Sequence, residues 1–73
     1  MSPRAPRLSG RELIKRLSQH GFLVARIRGS HHYLKHSDGR STVVPVHGNE
    51  PIGIGLFSKI LRDTELSTDD LLT

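Results

Sequence analysis

The run Leu23-Val24-Ala25-Arg26-Ile27-Arg28-Gly29-Ser30-His31-His32-Tyr33-Leu34-Lys35-His36-Ser37-Asp38-Gly39-Arg40-Ser41-Thr42-Val43-Val44-Pro45-Val46 decides the fold. Over residues 23–28 the side chains alternate, with Leu23, Ala25 and Ile27 on one face and Val24, Arg26 and Arg28 on the other, the two-residue period of a half-buried strand. The first set is expected to face the core. Gly29-Ser30 turns the chain, and residues 31–36 continue as a second strand. Ser37-Asp38-Gly39-Arg40 carries the Asp-Gly hairpin signal, and residues 41–46 form a third strand. Pro45 has no amide proton to give a ladder, which places it at an end or edge.

The flanks read as helices. Ser9-Gly10-Arg11-Glu12 fits a capping box, in which the Ser side chain accepts from the third helical amide and the Glu reaches back to the cap. Leu13, Ile14 and Leu17 follow as an apolar stripe, Gly21 supplies the left-handed residue that ends the helix, and Phe22 folds back onto the core. After the loop at residues 47–51, Gly53 and Gly55 open a second helix. Its Leu56, Phe57, Ile60 and Leu61 point inward, while Lys59 and Arg62 lie near the C-terminus, where the helix dipole favours cations. Ser67-Thr68-Asp69-Asp70 caps a last turn carrying Leu71 and Leu72. The order is αβββα with a helical tail, which predicts an α+β fold: a three-stranded antiparallel sheet with its helices on one face and the other free for binding. Residues 1–8, with Pro3 and Pro6 among basic side chains, read as a flexible basic tail. Residues 9–73 read as a single domain.

With 73 residues, 34% hydrophobic and only Phe22, Tyr33 and Phe57 aromatic, the core is thin, and a chain of this size gains much from a bound partner. The absence of cysteine excludes disulfides, thiolate metal sites and cysteine nucleophiles. No apolar run approaches the roughly 18 residues of a membrane span, and none follows the basic start as in a signal peptide, so a cytoplasmic protein with no membrane partner is expected. The net charge of +4 is unevenly spread. Residues 1–40 hold nine basic and two acidic side chains, net +7, whereas residues 41–73 hold two basic and five acidic, net −3. The basic half suits a polyanion, and phosphate contacts supply most of the sequence-independent affinity of nucleic-acid binders. Solvating charge is the plain alternative.

Three of the five histidines cluster at His31, His32 and His36. Strand alternation puts His31, Tyr33 and Lys35 on one face and His32, Leu34 and His36 on the other. With Leu34 inward, His31 joins Tyr33 and Lys35 on the open face, beside Arg26 and Arg28 if the strands pair. RNA cleavage without a metal needs a base for the 2′-hydroxyl, an acid for the leaving 5′-oxygen and cations for the phosphorane charge. Imidazole suits both proton transfers near neutrality. A metal site is not expected: His32 and His36 lie about 13 Å apart along a strand, too far to share an ion bound at about 2 Å. Gly53-x-Gly55 lacks the third Gly and the strand-to-helix context of a phosphate fingerprint, so no small-molecule cofactor is expected.

Leu13 to Leu17 followed by Gly21-Phe22, then Gly29-Ser30-His31-His32-Tyr33, then Val44-Pro45-Val46-His47, then Ile52 to Leu61, resemble the HicA family of mRNA interferase toxins. The resemblance spans nearly the whole chain, with the pieces in order and at the family's spacing. It implies a fold like the double-stranded RNA-binding domain and a small toxin that cleaves translated mRNA until a HicB-type antitoxin binds it. The family's catalytic His follows Gly-Ser and carries over to His31, with His32 as the fallback. Gly29 and Ser30 carry over as the turn that presents it, and His47 closes the Val-Pro-x-His segment as an accessory position. Arg26, Arg28 and Lys35 are then the side chains to hold RNA phosphate, and Tyr33 the ring to stack on a base or position His31. The chain departs from the family at Gly55-Leu56-Phe57, where many members have Gly-Thr-Leu, and at Glu65, where a Gly is expected after the helix. The rival readings are a non-catalytic RNA-binding module and, behind it, a pure protein-interaction domain.

Overall fold

A computed structural model describes residues 8–72. The elements run α1 (Gly10–Ser18), β1 (Leu23–Arg28), β2 (His31–Lys35), β3 (Ser41–Pro45), α2 (Ile54–Thr64) and α3 (Thr68–Leu72). The strands form one antiparallel sheet in the order β1-β2-β3. This is the αβββα arrangement expected from the alternation and turn signals. Met1–Arg7, most of the stretch read as a flexible tail, lie outside the described residues. Leu8 packs against the core, and its carbonyl accepts the Ile52 amide at 2.8 Å.

α1 and α3 start at side-chain caps, whereas α2 starts at Gly53 without one. Ser9 Oγ accepts the Glu12 amide at 3.2 Å and Glu12 returns an oxygen to the Ser9 amide at 2.9 Å, completing the capping box. A second reciprocal pair, Ser67 with Asp70, opens α3. Leu13 and Leu17 of α1, Phe22, Leu34 of β2, Val44 of β3, Ile52, Phe57 and Ile60 of α2 and Leu71 of α3 form one buried cluster, with Ile14, Leu56 and Leu61 half-buried around it. Gly10 is the tightest joint. A Cβ there would stand 2.1 Å from the Pro45 carbonyl oxygen, so only glycine lets α1 start this close to the end of β3.

β1 departs from the faces its alternation predicts. Val24 pairs with Leu34 and Arg26 with Tyr33, leaving Ala25 as an extra residue in a bulge. Cross-strand partners share a face. Val24 therefore joins Ile27 on the helix side, and Leu23, opposite Lys35, lies on the open side. None of β1 is an inner face in the sense expected: the helices pack principally against β3, and every β1 residue is exposed. The second strand stops at Lys35 and the third at Pro45, each one residue short of expectation, with Pro45 at its strand's end as its missing amide requires.

Candidate nucleic-acid interface

The β1–β2 turn builds the site. Arg28 and His31 are direct partners, so Gly29-Ser30 is a two-residue hairpin turn. Gly29 has φ +58 with nothing within 4 Å of a Cβ position, so it is needed for its backbone conformation and not for space. The Ser30 carbonyl accepts the Val46 amide at 2.8 Å, which ties the turn to the end of β3.

From that turn the strands sort the side chains. His31 is exposed on the open face between Arg28 and Pro45. Tyr33, between Arg26 and Val43, is on the same face, as is Lys35. The Arg26 guanidinium stacks on the Tyr33 ring, 4.6 Å from its centroid. One face of the ring expected to meet a base is thus already covered by a cation. His47 follows directly on Val46, in the exposed turn closed by the bond from the Glu50 amide to the His47 carbonyl. The structure therefore brings His31, Arg26, Arg28, Tyr33 and Lys35 onto one sheet face.

The other histidines have other surroundings. His32 is half-buried on the helix side, where its Nδ1 makes a long 3.4 Å contact to the Ser30 carbonyl. His36 sets its ring edge-on to Phe22, with centroids 5.0 Å apart, and its Nδ1 lies 3.1 Å from both the amide and the carboxylate of Asp38. The His20 Nε2 is 2.9 Å from the Asp70 carbonyl. Two histidines, His31 and His47, are left exposed.

The basic half sorts in the same way. Arg16 donates to the Leu71 carbonyl at 3.1 Å and so holds α3 against α1. Arg40 lies over Phe22, pairs with Asp38 at 2.8 Å and donates to the Thr64 carbonyl. Both are fold-building cations, which sequence reading counted toward a polyanion surface. Contacts made 55 and 24 residues away leave no local signal. A cleft of about 530 Å³ adds what the sequence did not suggest: Lys59 and Asp63 of α2 line it with Arg26, Tyr33 and Lys35, and it stops short of His31. Lys59 donates to Asp63 at 2.8 Å and Thr42 donates to the same carboxylate at 3.0 Å. These bonds, Lys59 foremost, hold the Asp63 carboxyl below its ordinary range against the opposing effect of burial.

Residues 10–66, more than three-quarters of the chain, match the family model for the HicA toxin of bacterial toxin–antitoxin systems. The chain belongs to the HicA toxin family. As a HicA-family toxin it has an antitoxin as its implied partner. The matched span takes in α1, the whole sheet and α2, and so contains the Gly29–His31 turn and the stacked Arg26–Tyr33 pair. No curated protein matches the chain. No described helix is long and apolar enough to cross a membrane. Among the described residues, no three His, Asp or Glu side chains are grouped to hold a metal ion.

Proposed function

We propose that this HicA-family toxin is an endoribonuclease that binds and cuts mRNA in the cytoplasm, using histidine and no metal, and is neutralised by a HicB-type antitoxin. The observation that carries the reading is the placement of His31: exposed, opposite Arg28 across a two-residue turn, and on the face that bears the Arg26–Tyr33 stack. A phosphate bound by Arg28 and Arg26 would present its ribose to that edge. His31 makes one of the two proton transfers, taking the 2′-hydroxyl proton or giving one to the leaving 5′-oxygen. The 2′-oxygen then attacks phosphorus, the 5′-oxygen leaves, and the guanidinium groups stabilise the added charge of the phosphorane. His47, one residue beyond the bond that ties the end of β3 to the turn, is the accessory imidazole of this reading. An acidic antitoxin covering His31 and the basic sheet face blocks the substrate and adds stability that the thin core lacks.

The test is induction of the wild-type chain beside His31→Ala, His32→Ala and His47→Ala, reading growth and bulk mRNA integrity. Wild type is expected to arrest growth with loss of mRNA. His31→Ala is expected to restore both while the purified variant stays folded and keeps its RNA affinity, because a proton-transfer group contributes to rate far more than to binding. Rescue by His32→Ala alone moves the role one position. Intact mRNA under a harmless wild type that still binds RNA replaces the nuclease reading with a non-catalytic RNA-binding module.

A further inference from the structure

β1 is an unfinished edge. It lies at the outside of the sheet, so among the described residues one row of its backbone amides and carbonyls has no neighbouring strand. Its helix-side residues are uncovered as well, with Val24 41% and Ile27 56% exposed, while at the opposite edge Val44 of β3 is fully buried. Natural edges are blunted by proline, charged side chains or bulges. β1 has the bulge at Ala25 and two arginines but no proline, and beyond the bulge Arg26-Ile27-Arg28 is regular strand whose charge selects what can pair with it. We infer that this edge is a docking site for an extended segment of a partner protein, which adds a fourth strand beside β1.

Charge decides the occupant. A second copy pairing antiparallel about Ile27, the register that joins the two regular segments, would set Arg26 of each copy opposite Arg28 of the other, and like charges directly opposite are destabilising. An added strand with an acidic–apolar–acidic triplet opposite Arg26-Ile27-Arg28 does the reverse. Its carboxylates meet the two guanidinium groups on the open face, and its apolar side chain extends the core over Ile27 on the helix side. Backbone pairing supplies affinity and the alternating side chains supply specificity. The inference rests on the antitoxin partner that the family implies and not on ribonuclease chemistry. The test below reads no RNA, so its failure and that of the nuclease reading are separable.

The probe is a capped peptide, Thr-Glu-Val-Glu-Val-Glu-Val-Thr, titrated into the full 73-residue chain labelled for amide NMR. Saturable shift changes and slowed amide exchange are expected in β1. Substituting Lys for each Glu of the peptide, or methylating alternate peptide nitrogens, is expected to abolish them. Ile27→Asp and Arg28→Glu are expected to weaken binding by about tenfold or more each. Both positions are exposed, and circular dichroism of each variant beside the parent checks that it is folded before binding is read. Absence of binding, shifts centred away from β1, or equal binding of the Lys peptide would overturn the proposal. So would β1 protection that rises with protein concentration without peptide, together with a dimer in sedimentation, which would assign the edge to a second copy.

Discussion

The Arg26 guanidinium and the Tyr33 ring face each other across β1 and β2 with 4.6 Å from charge centre to ring centroid, so the two side chains form one cationic, aromatic platform on the open sheet face. A single-stranded nucleic acid is served by such a pair, with phosphate attracted to the cation and a base stacked on the plane. Tyr33→Ala is expected to weaken binding of a short single-stranded RNA by roughly 5- to 100-fold, as loss of one stacked base does, whereas Tyr33→Phe leaves it within about twofold. Arg26→Ala is expected to weaken binding and to lower the slope of log affinity against log salt by about one. Fluorescence anisotropy across a salt series checks both.

Gly10 and Gly55 make a matched pair for stability. Gly10→Ala sets a Cβ into the Pro45 carbonyl and is expected to destabilise by about 1–3 kcal/mol as the α1–β3 joint opens. Gly55 lies near the start of α2 with open space at its Cβ position, so Gly55→Ala is expected to stabilise by about 0.5 kcal/mol. Urea denaturation of both variants beside the parent reads the opposite signs.

Glu65 ends α2 in a left-handed conformation, φ 59 and ψ 30, and its amide donates to the Leu61 carbonyl. A non-glycine residue held there is strained, and this is the position where the family pattern expects glycine. Glu65→Gly is expected to raise stability by about 0.5–1 kcal/mol, the relief of strain being partly offset by the freer unfolded chain. An unchanged urea midpoint would show that the strain is absent.

Four carboxyls titrate below their ordinary range in the folded chain. Hydrogen bonds lead in each case: from the Ser9 amide to Glu12, the Arg40 amide to Asp38, the Lys59 side chain to Asp63, and the Ser67 amide to Asp70. Such groups bind protons more weakly folded than unfolded. Their contribution is therefore complete above about pH 5 and is lost as pH falls through about 4 and below. Urea midpoints at pH 7, 5 and 3 are expected to be alike for the first two and lower for the third. Glu12→Gln and Asp70→Asn are expected to lower the neutral-pH midpoint and flatten the acid limb.

Much of the fold is legible in the chain because its signals are local. The Ser9–Glu12 box spans three residues, the Asp38-Gly39 turn spans two, and alternation along β2 sets His31, Tyr33 and Lys35 apart from His32 and Leu34 without reference to anything distant. The placement of the candidate histidine on the open face was legible for the same reason. The family resemblance added which histidine to choose.

What only the tertiary structure decided lies where distant parts of the chain meet. The bulge at Ala25 moves Leu23 to the open face and Val24 to the helix side, because the register of β1 is set by pairing with β2 and one extra residue inverts a two-residue period. His20 and Arg16 became α3 contacts across 50 and 55 residues, and Arg40 a clamp on α2 across 24, so composition overstated the charge available to a ligand. Local spacing determined which elements form and which way each side chain alternates. Packing determined which edge stays open and which cations and imidazoles remain exposed to meet a partner.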